Sequence, residues 1–156
     1  MAIRPFTVTD LASTLALDRE AFAEQGYTSI VLRQARDVFD ELFRVYEDGD
    51  GGIAGYAMGA IATDRATAWI LALAVAKKHR GAGIGRALTV DLLSLLRARG
   101  VADVLLTVDP ANTAAISLYQ TTGFTVARTV DDYFGPGERR LVMVHHPEPV
   151  PQSGLA

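Results

Sequence analysis

The chain has no cysteine among its 156 residues. That absence excludes disulfides, thiolate metal sites and any cysteine-linked acyl intermediate, and it fits a reducing compartment. Long apolar runs are also missing. No stretch approaches the ~20 apolar residues that span a bilayer, and Met1-Ala2-Ile3-Arg4-Pro5-Phe6 lacks the apolar core of a signal peptide. Neither sign of charge dominates: the net charge is −3, so no global field draws the chain to nucleic acid or to an anionic membrane. Histidine is scarce, and the adjacent His145 and His146 on one strand point to opposite faces, which makes a poor chelating pair. No metal site is expected. A cytoplasmic protein without nucleic-acid or membrane partners is expected, as a monomer or homodimer.

What is there suffices for one domain with a substantial core. Residues 1–146 are expected to form it, and the proline-rich 147–156 to be a solvated, flexible tail. Ile3 to Val8 alternates as a first strand, with Pro5 suggesting an edge. Thr9-Asp10 is an N-cap signal for a helix that carries Leu11, Leu15 and Leu17 and closes at Phe22. Gln25-Gly26-Tyr27-Thr28 breaks it. A second helix over Ile30 to Leu42 carries Val31, Ala35, Val38, Phe39 and Leu42 on one side. Phe43 to Glu47 and Gly52 to Ile61 flank Asp48-Gly49-Asp50-Gly51, a hairpin turn. The order continues strand, helix, strand, helix, strand, strand: Trp69 to Ala76, then a helix reaching Arg99 with Gly100 as its C′ residue, Val104 to Val108, Asn112 to Thr121, Phe124 to Arg128 and Arg140 to His145. The result is an α/β chain with a mixed sheet and helices on its faces.

The densest signal is Arg80-Gly81-Ala82-Gly83-Ile84-Gly85, between the apolar strand and the long amphipathic helix. A strand that turns through glycines into a helix aims free N–H groups and the positive end of the dipole at one spot, which suits phosphate oxygens. Two glycines would close a tight turn; three within five residues leave a bare backbone for something to approach. A Walker loop ends in Gly-Lys-Ser/Thr, whereas Arg86-Ala87 follows Gly85. A dinucleotide fingerprint counted from Gly81 needs Gly or Ala where Arg86 stands. Lys77, Lys78, His79, Arg80 and Arg86 surround the loop. Cations at a helix N-terminus oppose its dipole, so the cluster makes better sense with an anion between them.

A second constellation runs from Asn112 through Ala115, Ile116 and Tyr119 to Gly123-Phe124. By itself it is a capped helix with a core tyrosine. Together the two blocks resemble the GCN5-related N-acetyltransferase (GNAT) superfamily. Arg80, Gly83 and Gly85 match its Arg/Gln-x-x-Gly-x-Gly/Ala loop, and Asn112, Ala115, Tyr119, Gly123 and Phe124 match the segment that follows.

The resemblance implies a mostly antiparallel sheet with splayed central strands, and acetyl-CoA as cofactor. The pantetheine arm would hydrogen-bond along Leu73-Ala74-Val75, with Asn112 reaching it. The pyrophosphate would rest on Arg80, Gly81, Ala82, Gly83, Ile84, Gly85 and Arg86. Tyr119 would stand near the thioester sulfur as general acid. The partner substrate would be a primary amine: a small amine, a lysine or a peptide N-terminus. For it the resemblance points to Tyr27, Arg33 and Gln34, and across the site to Thr107, Asp109 and Tyr133. Tyr133 and Pro136-Gly137-Glu138 are similar to the N-terminal acetyltransferases of the ribosomal-protein type, although Thr107 and Arg139 depart from acidic residues found in relatives. Asp109, Glu24, Asp131 and Asp132 are candidate bases. A non-catalytic acyl-CoA sensor on the same fold stays open at this stage.

Overall fold

A computed structural model describes residues 2–148. The expected tail thus lies, from residue 149 on, outside the described residues. Among the described residues, four α-helices accompany a seven-stranded, mostly antiparallel sheet. The chain groups into two compact units. One holds the residues up to Ala60 with Ile70–Leu92, the other Ile61–Trp69 with the residues from Leu93 onward.

In the first unit β1 (Ala2–Pro5) pairs antiparallel with β2 (Phe43–Glu47), and β2 with β3 (Ile53–Ile61). β1 is shorter than its pattern suggested. Phe6 turns into the core, and Val8–Asp10 forms a 3-10 turn before α1 (Leu11–Phe22). Asp10 precedes α1 without capping it by a side-chain bond. Its carboxylate instead accepts the Thr7 N–H at 2.7 Å and both Arg4 terminal nitrogens, at 2.8 and 2.9 Å.

Helix α2 (Ser29–Phe39) is capped by Thr28, whose hydroxyl accepts the Val31 N–H at 3.2 Å. Its buried side is Leu32 and Ala35, with Phe39 packed against the core. Val31 and Val38, expected on that side, are 41% and 72% exposed. The helix also ends before Leu42, which is buried on a following 3-10 turn. Phe6, Leu17, Leu32, Phe43, Val45, Tyr56, Met58, Ala72 and Ala74 form one cluster.

The opposite face of β3 is made of small residues. A Cβ on Gly55 would lie 3.0 Å from the Ala74 carbonyl and 3.1 Å from Leu88, and one on Gly59 3.1 Å from Leu92. Glycine there lets α3 (Ile84–Ala98) lie close on the strand, so β3 is covered on both faces. β4 (Thr67–Val75) alternates: Ile70, Ala72 and Ala74 are buried, whereas Leu71 is 41% exposed on the side it shares with Leu73 and Val75.

In the second unit β5 (Asp103–Val108), β7 (Arg140–His145) and β6 (Thr125–Val130) pair antiparallel in that order. α3 closes on Gly100, with φ of +75°, and the Val101 N–H donates back to the Leu96 carbonyl at 3.3 Å. α4 (Thr113–Thr121) begins at Asn112, whose Oδ1 accepts the Ala115 N–H at 3.1 Å.

Candidate active site

The glycine loop belongs to the first unit. Val75 ends β4, Lys77–His79 makes a single 3-10 turn, and α3 starts at Ile84. Gly81 and Gly83 have φ of +82° and +81°, and a Cβ on either would meet nothing within 4 Å. Conformation, not crowding, therefore demands glycine there, and the space beside the loop is open. The first bond into the helical ladder runs from Ala87 N to the Gly83 carbonyl at 2.9 Å. The N–H groups of the preceding turn have no intrahelical acceptor and join the dipole in favouring an anion.

Two side chains that sequence reading missed brace this loop. Glu20 of α1 accepts the Lys77 N–H through Oε2 at 2.9 Å, across 57 residues. Asp48, in the β2–β3 turn, lies with Oδ2 3.5 Å from a buried His79 Nε2. The backbone N–H groups of Gly52 and Asp50, followed by the charges of Lys78 and His79, hold Asp48 below the usual carboxylate range. Arg80 does not point away from the strand: its Nε donates to the Val75 carbonyl at 3.2 Å. That carbonyl ends the strand expected to carry the pantetheine arm.

Tyr27 also belongs to the first unit. Its hydroxyl donates to the Leu71 carbonyl of β4 at 3.3 Å, and its backbone N–H donates to Asp18 at 2.6 Å. Burial, and then the charge of Asp18, push the phenol up from its ordinary value. Arg33 is engaged one helical turn away, with Nη1 2.5 Å from Asp37.

The second unit holds Thr107, Asp109, Asn112, Tyr119 and Tyr133. Tyr119 is 8% exposed and stacks edge-on to Phe124, with ring centres 5.7 Å apart. Burial pushes its phenol up to about 12, so it is a neutral O–H donor throughout the physiological range. Gly123, with φ of +97°, ends α4 so that the Phe124 N–H reaches the Tyr119 carbonyl at 3.0 Å. The matched Tyr-x-x-x-Gly-Phe spacing thus has a local cause: the turn that glycine permits folds Phe124 back on Tyr119.

Three of the four candidate bases serve their own loops. Asp109 accepts the Ala111 N–H at 2.9 Å, Asp132 the Gly137 N–H at 2.7 Å, and Asp131 pairs with Arg139 at 2.6 Å. Glu24 is exposed in the turn after α1. The β6–β7 loop presents Tyr133 against Phe134, 4.8 Å between ring centres, with the Arg140 guanidinium 5.2 Å over the Phe134 ring. Among the described residues, no group of three or more His, Asp or Glu could hold a metal ion, and no helix is long and apolar enough to cross a membrane.

Comparison with known proteins fits this geometry. The chain is 41% identical over 119 residues to the mycothiol acetyltransferase of Beutenbergia cavernae, covering 71% of this chain and 40% of that protein. The chain thus matches about two-fifths of that relative's length. The solved structure of Ard1 from Thermoplasma volcanium is similar with a TM-score of 0.86 and 27% identity, covering 94% of this chain and 97% of that one. The ribosomal-protein-S18-alanine N-acetyltransferase of Escherichia coli follows with a TM-score of 0.80, 25% identity and 99% of each chain. The family model for the acetyltransferase (GNAT) family matches residues 9–124, which contain both motif blocks, and the chain belongs to that family.

Proposed function

We propose that the chain is an acetyl-CoA-dependent N-acetyltransferase that moves an acetyl group to a primary amine by direct attack. The observation that carries this reading is the loop at the start of α3, where Gly81 and Gly83 hold positive φ beside open space. The N–H groups from Arg80 to Arg86 bind the pyrophosphate, and the Leu73-Ala74-Val75 backbone and Asn112 bind the pantetheine arm. Family membership supports these assignments.

The chain has no cysteine to carry an acyl group. In this reading the amine nitrogen attacks the thioester carbonyl itself, the C–S bond breaks, and the ammonium proton leaves to balance the departing thiolate. Holding the two reactants in line supplies the largest share of the acceleration, of the order of 7–11 kcal/mol for a well-aligned pair. Tyr119 assists the sulfur. Burial raises its phenol to about 12 and so keeps the proton on oxygen until charge builds on sulfur. Its part is that of a general acid, through a hydrogen bond that strengthens as the thiolate departs.

A peptide α-amine is the first acceptor to try, in view of the structural likeness to the ribosomal-protein-S18-alanine enzyme. A thermal-shift series gives the decisive test. CoA and acetyl-CoA stabilise the protein, whereas ATP and NAD do not. Failure of CoA to raise the melting temperature overturns the proposal. Release of CoA thiol is then followed with a panel of short peptides, lysine and small amines. Binding without release for every acceptor leaves a sensor and removes the enzyme.

A further inference from the structure

Asp18 is fully buried in α1, yet the positions around it are those of an apolar core. No ion pair to it is found among the described residues. Its two partners are neutral donors: Oδ1 accepts the Tyr56 hydroxyl and Oδ2 accepts the Tyr27 backbone N–H at 2.6 Å. Burying a carboxylate against neutral groups alone is unfavourable, and a core needs no charge to pack. The second partner indicates what the carboxylate does. Between Phe22 and Ser29 no α-helix or strand holds the chain. Asp18 supplies an acceptor there from below. Gly26 comes down so tightly on Asp18 Oδ2 that a Cβ would collide with it, although its φ of −72° suits any residue.

Tyr27 is fixed by this backbone tie on one side and by the Thr28 cap of α2 on the other. Its hydroxyl then reaches the Leu71 carbonyl at 3.3 Å. Leu71 lies on the same, less buried side of β4 as Leu73 and Val75. The phosphate loop follows the carboxyl end of β4. A cofactor arm anchored there and running along residues 73–75 must extend toward Leu71, so its acyl end lies beside Tyr27.

We propose that Asp18 is a positioning residue for acetyl transfer, holding Tyr27 against β4 at the acyl end of the cofactor so that the acceptor amine meets a rigid wall. This rests on the cofactor reading above. Asp18 touches neither substrate, and acts through Tyr27.

The test uses the full chain with Asp18→Ala, Asp18→Asn and Tyr27→Phe. Steady-state kinetics with acetyl-CoA and the panel's best acceptor are set beside amide exchange of residues 23–28. For Asp18→Ala the acceptor KM is expected to rise by about tenfold or more while the acetyl-CoA KM stays within about twofold. Amides of 23–28 exchange about tenfold faster, and those of β3 are unchanged. Asp18→Asn keeps one accepting oxygen and returns the acceptor KM to within about threefold of wild type. Tyr27→Phe raises the acceptor KM without loosening the loop. Should Asp18→Ala not fold, Gly26→Ala displaces the same carboxylate and is expected to give the same acceptor-only rise. An unchanged acceptor KM, or parallel changes in both KM values without local exchange, overturns the proposal. A wild-type protein that CoA does not stabilise fails the cofactor reading instead, so the two failures are told apart.

Discussion

Arg44 of β2 donates its Nε hydrogen to Asp91 of α3 at 2.7 Å, and the Arg44 side chain is only 11% exposed. The pair fastens the helix that follows the glycine loop to a strand of the same unit. Asp91→Ala strands a desolvated guanidinium and is expected to lower stability by about 2–3 kcal/mol, less than the ~3–5 kcal/mol of a fully buried pair because Asp91 keeps partial solvent. Urea unfolding at neutral pH measures it. A loss no larger than an exposed helix pair's ~0.5 kcal/mol would show that the contact is only superficial.

Gly83→Ala separates the loop's conformation from its packing. The added methyl meets no protein atom, so its cost to the free protein is the positive φ alone, about 1–2 kcal/mol. Its effect on the cofactor is expected to be larger, because the methyl and any relaxation of φ disturb the cradle itself. CoA affinity should fall by about tenfold or more, read by calorimetry. A variant that loses stability yet binds CoA as wild type does would remove the loop from the binding site.

Tyr119→Phe is expected to lower kcat by about 10²-fold while leaving the acetyl-CoA KM near wild type. The ring keeps its edge-on contact with Phe124, so folding should be little altered. A wild-type kcat on the best acceptor would assign the tyrosine to the core alone.

Alkaline titration reads the buried phenols. Tyr119 is raised from 10.0 to about 12, and Tyr27 and Tyr56 shift the same way, chiefly through burial. From pH 10 upward the unfolded chain loses these protons first, so the folded state binds more protons and stability falls as pH rises. For Tyr119 the window is pH 10–12, with a slope of up to about 1.4 kcal/mol per pH unit. Urea midpoints at pH 8, 10 and 11 should decline less steeply in Tyr119→Phe than in wild type. Equal slopes would mean that the phenol is solvated.

Much of this was legible along the chain. The Asp48–Gly51 turn, the two strands it joins and the helix after the glycines follow from local chemistry: positive φ at Gly51, alternation, and a 3.6-residue period. The two motif blocks were legible for the same reason, since each is a loop and a helix end whose geometry is set within a dozen residues. Helix α2 was harder. Val31, Ala35 and Val38 form as regular a stripe as Leu32, Ala35 and Phe39, and periodicity alone cannot rank them. The core of Phe6, Leu17, Phe43 and Tyr56 chose the second. Asp10 illustrates the same limit, because Arg4 from β1 competes for the carboxylate that would have capped α1.

By itself, then, the sequence determined the order of elements, the glycine loop before α3 and the family, because these depend on spacing and on residues that only certain backbone conformations accept. The tertiary structure alone decided which carboxylates have partners. Glu20 reaches Lys77 across 57 positions, and Asp18 reaches Tyr56 across 38. An aspartate in a helix reads as a solvated residue until distant segments bury it. Burial turns such a side chain from a surface charge into a fixed acceptor, and only the folded chain brings the donors to it.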